Sequence, residues 1–131
     1  MPSELGDTQE LLFVITRAIR QLQERARTQP VEVVSMTATY SMVDIDSLIL
    51  MDATDGDRTV FLLTAAGREG RLAEVKKTDS SANTVKIDPT GSETIDGSSS
   101  IVLTQKNAMR AMRSDGTNWR LVGAIGNSEA L

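Results

Sequence analysis

Leu12, Ile15, Ile19, Leu22 and Ala26 recur at steps of three, four, three and four, and Gln29-Pro30 ends the pattern. That spacing is the a/d repeat of a coiled-coil seam, and Leu5 and Thr8 extend it backwards in register. Asp7, with Glu10 three residues later, has close to the capping-box spacing of a helix start. About three heptads make a rod ~30 Å long. Alone in water such a helix is marginal, because its nucleation is costly. The stretch therefore predicts an oligomerisation helix whose interface is Leu12, Ile15, Ile19, Leu22 and Ala26. Proline cannot continue it, so a different structure begins after residue 30.

Leu11-Leu12-Phe13-Val14-Ile15 departs from a plain zipper, since five consecutive apolar residues cover the whole helix circumference. The later turns differ: Arg17, Arg20, Gln21, Gln23, Glu24, Arg25 and Arg27 surround a narrow apolar stripe. The first turns are thus expected to be buried on all sides, either against the chain's own β domain or in a partner protein. In the second case Leu11, Phe13 and Val14 are the docking residues. The apolar run is too short to span a membrane, which takes ~20 residues. Arginines in the last turns suit the negative end of the helix dipole without any nucleic acid.

After Pro30 the apolar period shifts from near 3.5 to near 2, and β-branched residues dominate. Strands are predicted over 31–39, 47–51, 59–63, 71–76, 85–87, 94–95, 101–103, 109–113 and 118–122. Residues 109–113 also have a period of three, but Ser114-Asp115-Gly116-Thr117 has the chemistry of a hairpin turn into Trp119. Asp55-Gly56, Asp96-Gly97 and Asp115-Gly116 each lie between strand candidates, and that dipeptide supplies the positive φ angles of tight hairpins. Turns every 8–12 residues indicate a sandwich, barrel or prism. The stretch from Gly123, small and polar in the majority, is expected to be a loose tail.

Composition narrows the chemistry. The chain of 131 residues has no histidine and no cysteine, which removes the commonest general base, thiolate metal sites and disulfides. Eighteen acids against fourteen bases leave a net charge of −4, so a strongly basic nucleic-acid surface is absent. The N-terminus lacks the charged-then-apolar pattern of a secretory leader. Asp52, Asp55 and Asp57 could converge on a hard cation, but their spacing lacks the closing Glu of the helix-loop-helix calcium loop, so a hairpin tip is favoured. Asp88, Glu93 and Asp96 fall in predicted turns, where solvated carboxylates are ordinary and a glycosidase pair is not expected. Gly67 and Gly70 form a Gly-x-x-Gly loop with no helix after it, so it cradles no phosphate. Lys76-Lys77 suggests a solvated strand edge that blocks stray pairing. Trp119, alternating with Leu121, is expected to anchor the core, and Phe61 to be internal.

Thr59-Val60-Phe61-Leu62, Ala65-Ala66-Gly67, Gly70-Arg71, Lys76-Lys77, Asn83-Thr84-Val85-Lys86-Ile87, Gly91-Ser92-Glu93-Thr94-Ile95-Asp96-Gly97 and Ser114-Asp115-Gly116-Thr117-Asn118-Trp119 follow in that order. The succession resembles a small β module of tailed-bacteriophage virion proteins, found in tail fibres, head fibres and related projecting appendages. The likeness runs from about Tyr40 to Val122, with Leu62-Leu63 where the family often has Leu-Pro. It implies a homotrimer whose β modules wind around a threefold axis, with an N-terminal segment attached to the particle. The a/d residues alone leave the number of helices open, and the resemblance tips it to three.

The resulting expectation is a mainly β chain with an N-terminal α-helix: a trimeric helical bundle followed by a compact antiparallel β sandwich or prism-like domain. Residues 1–30 are the anchoring helix, 31–123 the β domain and 124–131 the tail. The expected function is a non-enzymatic virion protein, a capsid decoration or head-fibre-like appendage assembled in the host cytoplasm. No cofactor, metal, nucleic acid or membrane is expected. Its partners are its own copies and other virion proteins of the capsid, tail or collar. The alternative is a tail or collar fibre component, or a receptor-binding tip that recognises a host surface glycan or protein.

Overall fold

The computed structural model describes residues 11–12, 14–20, 32–126 and 128–130, the last three by their backbone. The chain divides into two units, Met1–Pro30 and Val31–Leu131. In the first, residues 11, 12 and 14–20 are helical. Thr16 Oγ1 donates to the Leu12 carbonyl at 2.9 Å, the local bond a hydroxyl makes within a helix. Asp7, Glu10, Phe13, Leu22 and Ala26 lie outside the described residues.

The second unit carries ten strands among its described residues. They are β1 (Glu32–Met36), β2 (Tyr40–Ser41), β3 (Asp46–Met51), β4 (Arg58–Phe61), β5 (Leu72–Lys77), β6 (Val85–Asp88), β7 (Ile101–Leu103), β8 (Met109–Ser114), β9 (Trp119–Ile125) and β10 (Ser128–Ala130). They form two five-stranded sheets, one ordered β1-β3-β5-β8-β9 and the other β10-β7-β6-β4-β2. Through β6 the chain alternates between the sheets, so each strand pairs in parallel with the strand two before it. Antiparallel pairs then close both sheets: β7 on β6, β8 on β5, β9 on β8 and β10 on β7.

The expected antiparallel architecture is therefore corrected to a mixed one. Parallel neighbours need a crossover between them, and here each crossover itself contributes a strand to the opposite sheet. Asp55-Gly56 accordingly joins β3 to β4 across the two sheets and is not a hairpin turn. The other two Asp-Gly dipeptides do turn hairpins. Asp96 and Gly97 have φ of 49° and 87°, and Ile95 and Ser98 exchange backbone bonds of 2.9 Å around them, the type I′ pattern. Asp115-Gly116 links β8 to β9. The predicted strand over 94–95 reduces to isolated bridges from Ile95 to Ser98 and to Trp119. In place of the predicted loose tail, β9 continues to Ile125 and β10 adds an edge to the second sheet.

The core is one cluster fed by both sheets. Ile49, Met51, Ala73, Val75 and Met112 enter it from the first, and Val60, Val85, Ile87, Ile101 and Leu103 from the second. Inward positions alternate along each strand as a pleated backbone requires. Trp119 is fully buried, and its Nε1–H donates to the Leu63 carbonyl at 3.2 Å. That bond satisfies the one polar atom of the chain's single indole. Two expectations fail here. Phe61 faces out from the second sheet and is exposed. Lys77 lies on the central strand of the first sheet and is fully buried, in phase with Ala73 and Val75.

Candidate functional site

Among the described residues the candidate functional features are apolar surfaces, and the β unit also carries buried polar clamps. On the helical residues, Leu12, Ile15 and Ile19 are 64%, 46% and 51% exposed in the single chain. These three seam residues fall on one helix face, since steps of three and four return to the same side. Leu11 and Val14, predicted to dock, are exposed as well.

A second apolar surface was not anticipated. The outward face of the first sheet carries transverse rows fixed by its register. One row is Val33, Leu48, Glu74, Ala111 and Gly123; the next is Ser35, Leu50, Lys76, Met109 and Ile125; a shorter one at the other side is Leu72, Arg113 and Arg120. Val33 and Ile125, at the two ends, are 59% and 61% exposed. The signal was present in the alternation of β5, where Leu72, Glu74 and Lys76 oppose the inward Ala73, Val75 and Lys77. It became visible only once the strand order was known.

The polar clamps are local. Lys77 Nζ donates to Asp79 Oδ2 at 2.8 Å and to the carbonyls of Asp79 and Ser81 at 3.0 and 3.1 Å. Asp79 also accepts the backbone N–H of Ala53 at 2.8 Å and of Ser81 at 3.1 Å, and the Ser81 hydroxyl. Burial pushes the Asp79 carboxyl up, but these donors more than reverse it and hold it well below the usual carboxylate range. The cluster ties the β3–β4 connection to the β5–β6 connection, with Asn83 Nδ2 donating to the Ala53 carbonyl at 2.8 Å.

Glu93 does the same for the segment after β4. It accepts from the Thr64 hydroxyl and the Ala65 N–H at 2.7 Å each, and from the Ala66 N–H at 3.1 Å. Burial pushes the Glu93 carboxyl up, yet the three donors outweigh that and leave it below its ordinary value. Asp115 Oδ1 caps the β8–β9 hairpin through the N–H groups of Thr117 and Asn118, while Oδ2 takes the Arg120 Nε–H at 2.8 Å. The Asn118 N–H, the Arg120 guanidinium and the Thr117 N–H pull it down to about 2. The Tyr40 hydroxyl donates to buried Asp46 at 2.7 Å. That bond, with burial and the Asp46 charge behind it, pushes the phenol up to about 12.

Arg110 points inward and reaches the carbonyls of Met109, Ile125 and Gly126 at 2.6, 2.9 and 3.0 Å, holding the turn at which the chain leaves β9 for β10. Asp52 turns back on Thr54, and Asp57 accepts the Thr84 N–H at 2.8 Å. Among the described residues no three acids lie together as metal ligands. The Gly67–Gly70 loop docks on the β8–β9 hairpin: Gly67 N–H donates to the Gly116 carbonyl at 3.2 Å, and Gly70 N–H to Ser114 at 2.8 Å. Among the described residues no helix is long and apolar enough to cross a membrane.

Comparison with known families and with curated proteins finds no match: no family model fits the chain, and no curated sequence resembles it.

Proposed function

We propose that the protein is a non-enzymatic structural component of a tailed-bacteriophage virion. In this reading it is a homotrimer whose leading helices bundle and whose β units stand around the same axis in prism fashion. It decorates the capsid or projects from the head as a fibre-like appendage, attached through Leu11, Phe13 and Val14. The observation that carries it is the exposed stripe of Leu12, Ile15 and Ile19 on one face of the described helical residues. Three copies gain ~25 cal/mol per Å² of apolar area withdrawn from water. Attachment by three linked copies then gains avidity over any single contact. The particle context comes from the resemblance alone.

The receptor-tip alternative has one observation in its favour, the exposed Phe61 ring, and one against it, the burial of Trp119. A sugar-stacking platform needs an open aromatic face, and the larger of the two rings is closed.

Sedimentation equilibrium on the full chain tests the assembly, with a trimer expected. Ile15→Asp with Ile19→Asp should give monomers; trimers that survive both substitutions would refute the seam. Particles lacking the protein should regain it stoichiometrically on mixing. Failure to rebind, together with glycan or cell-surface binding, would move the assignment to the receptor tip.

A further inference from the structure

The outward face of the first sheet has the composition of a contact surface and not of a solvated one. A sheet face left to water normally carries polar residues at alternate positions. The second sheet does so, with Thr59 paired to Lys86 and Phe61 paired to Asp88 on its outer side. Beside Arg113 and Arg120, which share the row of Leu72 at one end of the face, the first sheet has Val33, Leu48, Leu50, Met109 and Ile125 there, with Glu74 and Lys76 as the charges among them.

Those two charges sit on β5, the central strand, two residues apart and of opposite sign. Neither has an ion-pair or hydrogen-bond partner among the described residues. We infer that this face meets the same face of a second copy of the chain, Glu74 of one copy against Lys76 of the next, among the apolar side chains of Val33, Leu48, Leu50, Met109 and Ile125. Opposite charges on one strand make the face complementary to itself: bringing two copies together satisfies both signs, whether around a twofold or a threefold axis. Like charges at the centre would instead have forbidden self-contact. Ala111 and Gly123, small residues at one end of the Glu74 row, let a neighbouring copy approach closely.

The inference rests on the proposed bundling of the leading segments in one respect. Only Val31 separates Pro30 from β1, which bears Val33 and Ser35. Copies joined through residues 1–30 therefore hold their first sheets on a short tether, at high effective concentration for a weak contact.

The chain has no cysteine, so single cysteines report burial directly. In the full chain, Leu50→Cys on the outer face of the first sheet should be protected from a maleimide reagent, whereas Lys86→Cys on the second sheet is labelled freely. Protection should be lost on dilution to monomer. An oligomer in which Leu50→Cys is labelled as fast as Lys86→Cys overturns the inference and leaves the helical seam standing. Protection that persists in an oligomer carrying Ile15→Asp and Ile19→Asp would support the face and overturn the seam. A charge exchange covers a cysteine variant that misfolds. Glu74→Lys should raise the dissociation constant at least about tenfold, and Glu74→Lys with Lys76→Glu should restore it. No weakening by the single change, or no rescue by the double, refutes the contact.

Discussion

Lys77 Nζ lies 2.8 Å from Asp79 Oδ2, two residues along its own chain, and neither side chain is open to solvent. An ion pair so local does not hold distant strands together by itself. Its effect comes through what Asp79 also grips, the Ala53 N–H from the neighbouring connection.

That geometry makes the two partners unequal. Lys77→Met should destabilise the β unit by ~3–5 kcal/mol, the cost of leaving one buried charge uncompensated. Asp79→Ala should cost more, because it strands the Lys77 ammonium and also frees the Ala53 and Ser81 donors. The double variant should fall well short of the sum of the two. Urea midpoints of the three proteins measure this, and additive losses would show that the pair is not coupled.

Acid should unfold the β unit through the same carboxylates. Asp79, Glu93 and Asp115 are all lowered in the fold, so their stabilisation is present above the unfolded carboxylate range near ~4. It is lost as pH falls through the folded values, which for Asp115 is about 2. Thermal midpoints should drop between these limits, and Asp115→Asn should flatten part of the fall. A midpoint constant from neutral pH to about 2 would contradict the hydrogen bonds described for all three.

The alkaline limb has a different reporter. Tyr40 is the single tyrosine and its phenol is raised to about 12, so its bond to Asp46 stabilises the fold fully below the ordinary value of 10.0. That contribution is lost as pH rises through the folded value. Ultraviolet titration should place phenolate formation near 12 in the folded protein, falling toward 10.0 with Asp46→Asn. Coincident curves for the two proteins would exclude the bond.

Gly126 is the corner at which the chain leaves one sheet for the other. Its φ is +75°, and a Cβ there would stand 2.9 Å from Ala108 Cα, a backbone atom that cannot step aside. Gly91 has a φ of +58° with nothing within 4 Å. Gly91→Ala should therefore cost only the conformational penalty of ~1 kcal/mol. Gly126→Ala should cost clearly more and should release β10, seen as faster amide exchange at Ile101–Leu103. Equal losses at the two glycines would show that the close approach to Ala108 is unimportant.

Much of the strand map was legible because period and turn chemistry are local. Residues 109–113 form a strand despite their helix-like period, since Arg110 and Met112 face Val75 and Ala73 of β5 while Met109 and Ala111 face away. Pairing partners were not legible. Asp55-Gly56 has the same chemistry in a crossover between sheets as in a hairpin, and nothing near it specifies which. Lys77 was misplaced for a related reason. Its charge outweighed a phase shared with Ala73 and Val75, and the acid that permits its burial stands two residues further on. For the proposed surfaces the limit is physical: an apolar stripe such as Leu12, Ile15 and Ile19 needs cover, but its spacing alone does not say whose.

The alternation of early strands between sheets also sets an order of events. Neither layer can be finished from its beginning, because β8 and β9 complete one and β7 and β10 the other. A ribosome displays the leading segment long before the strands that close either layer have been made. Under the proposed bundling, synthesis itself gives nascent copies the opportunity to meet through their leading segments while their bodies are still incomplete.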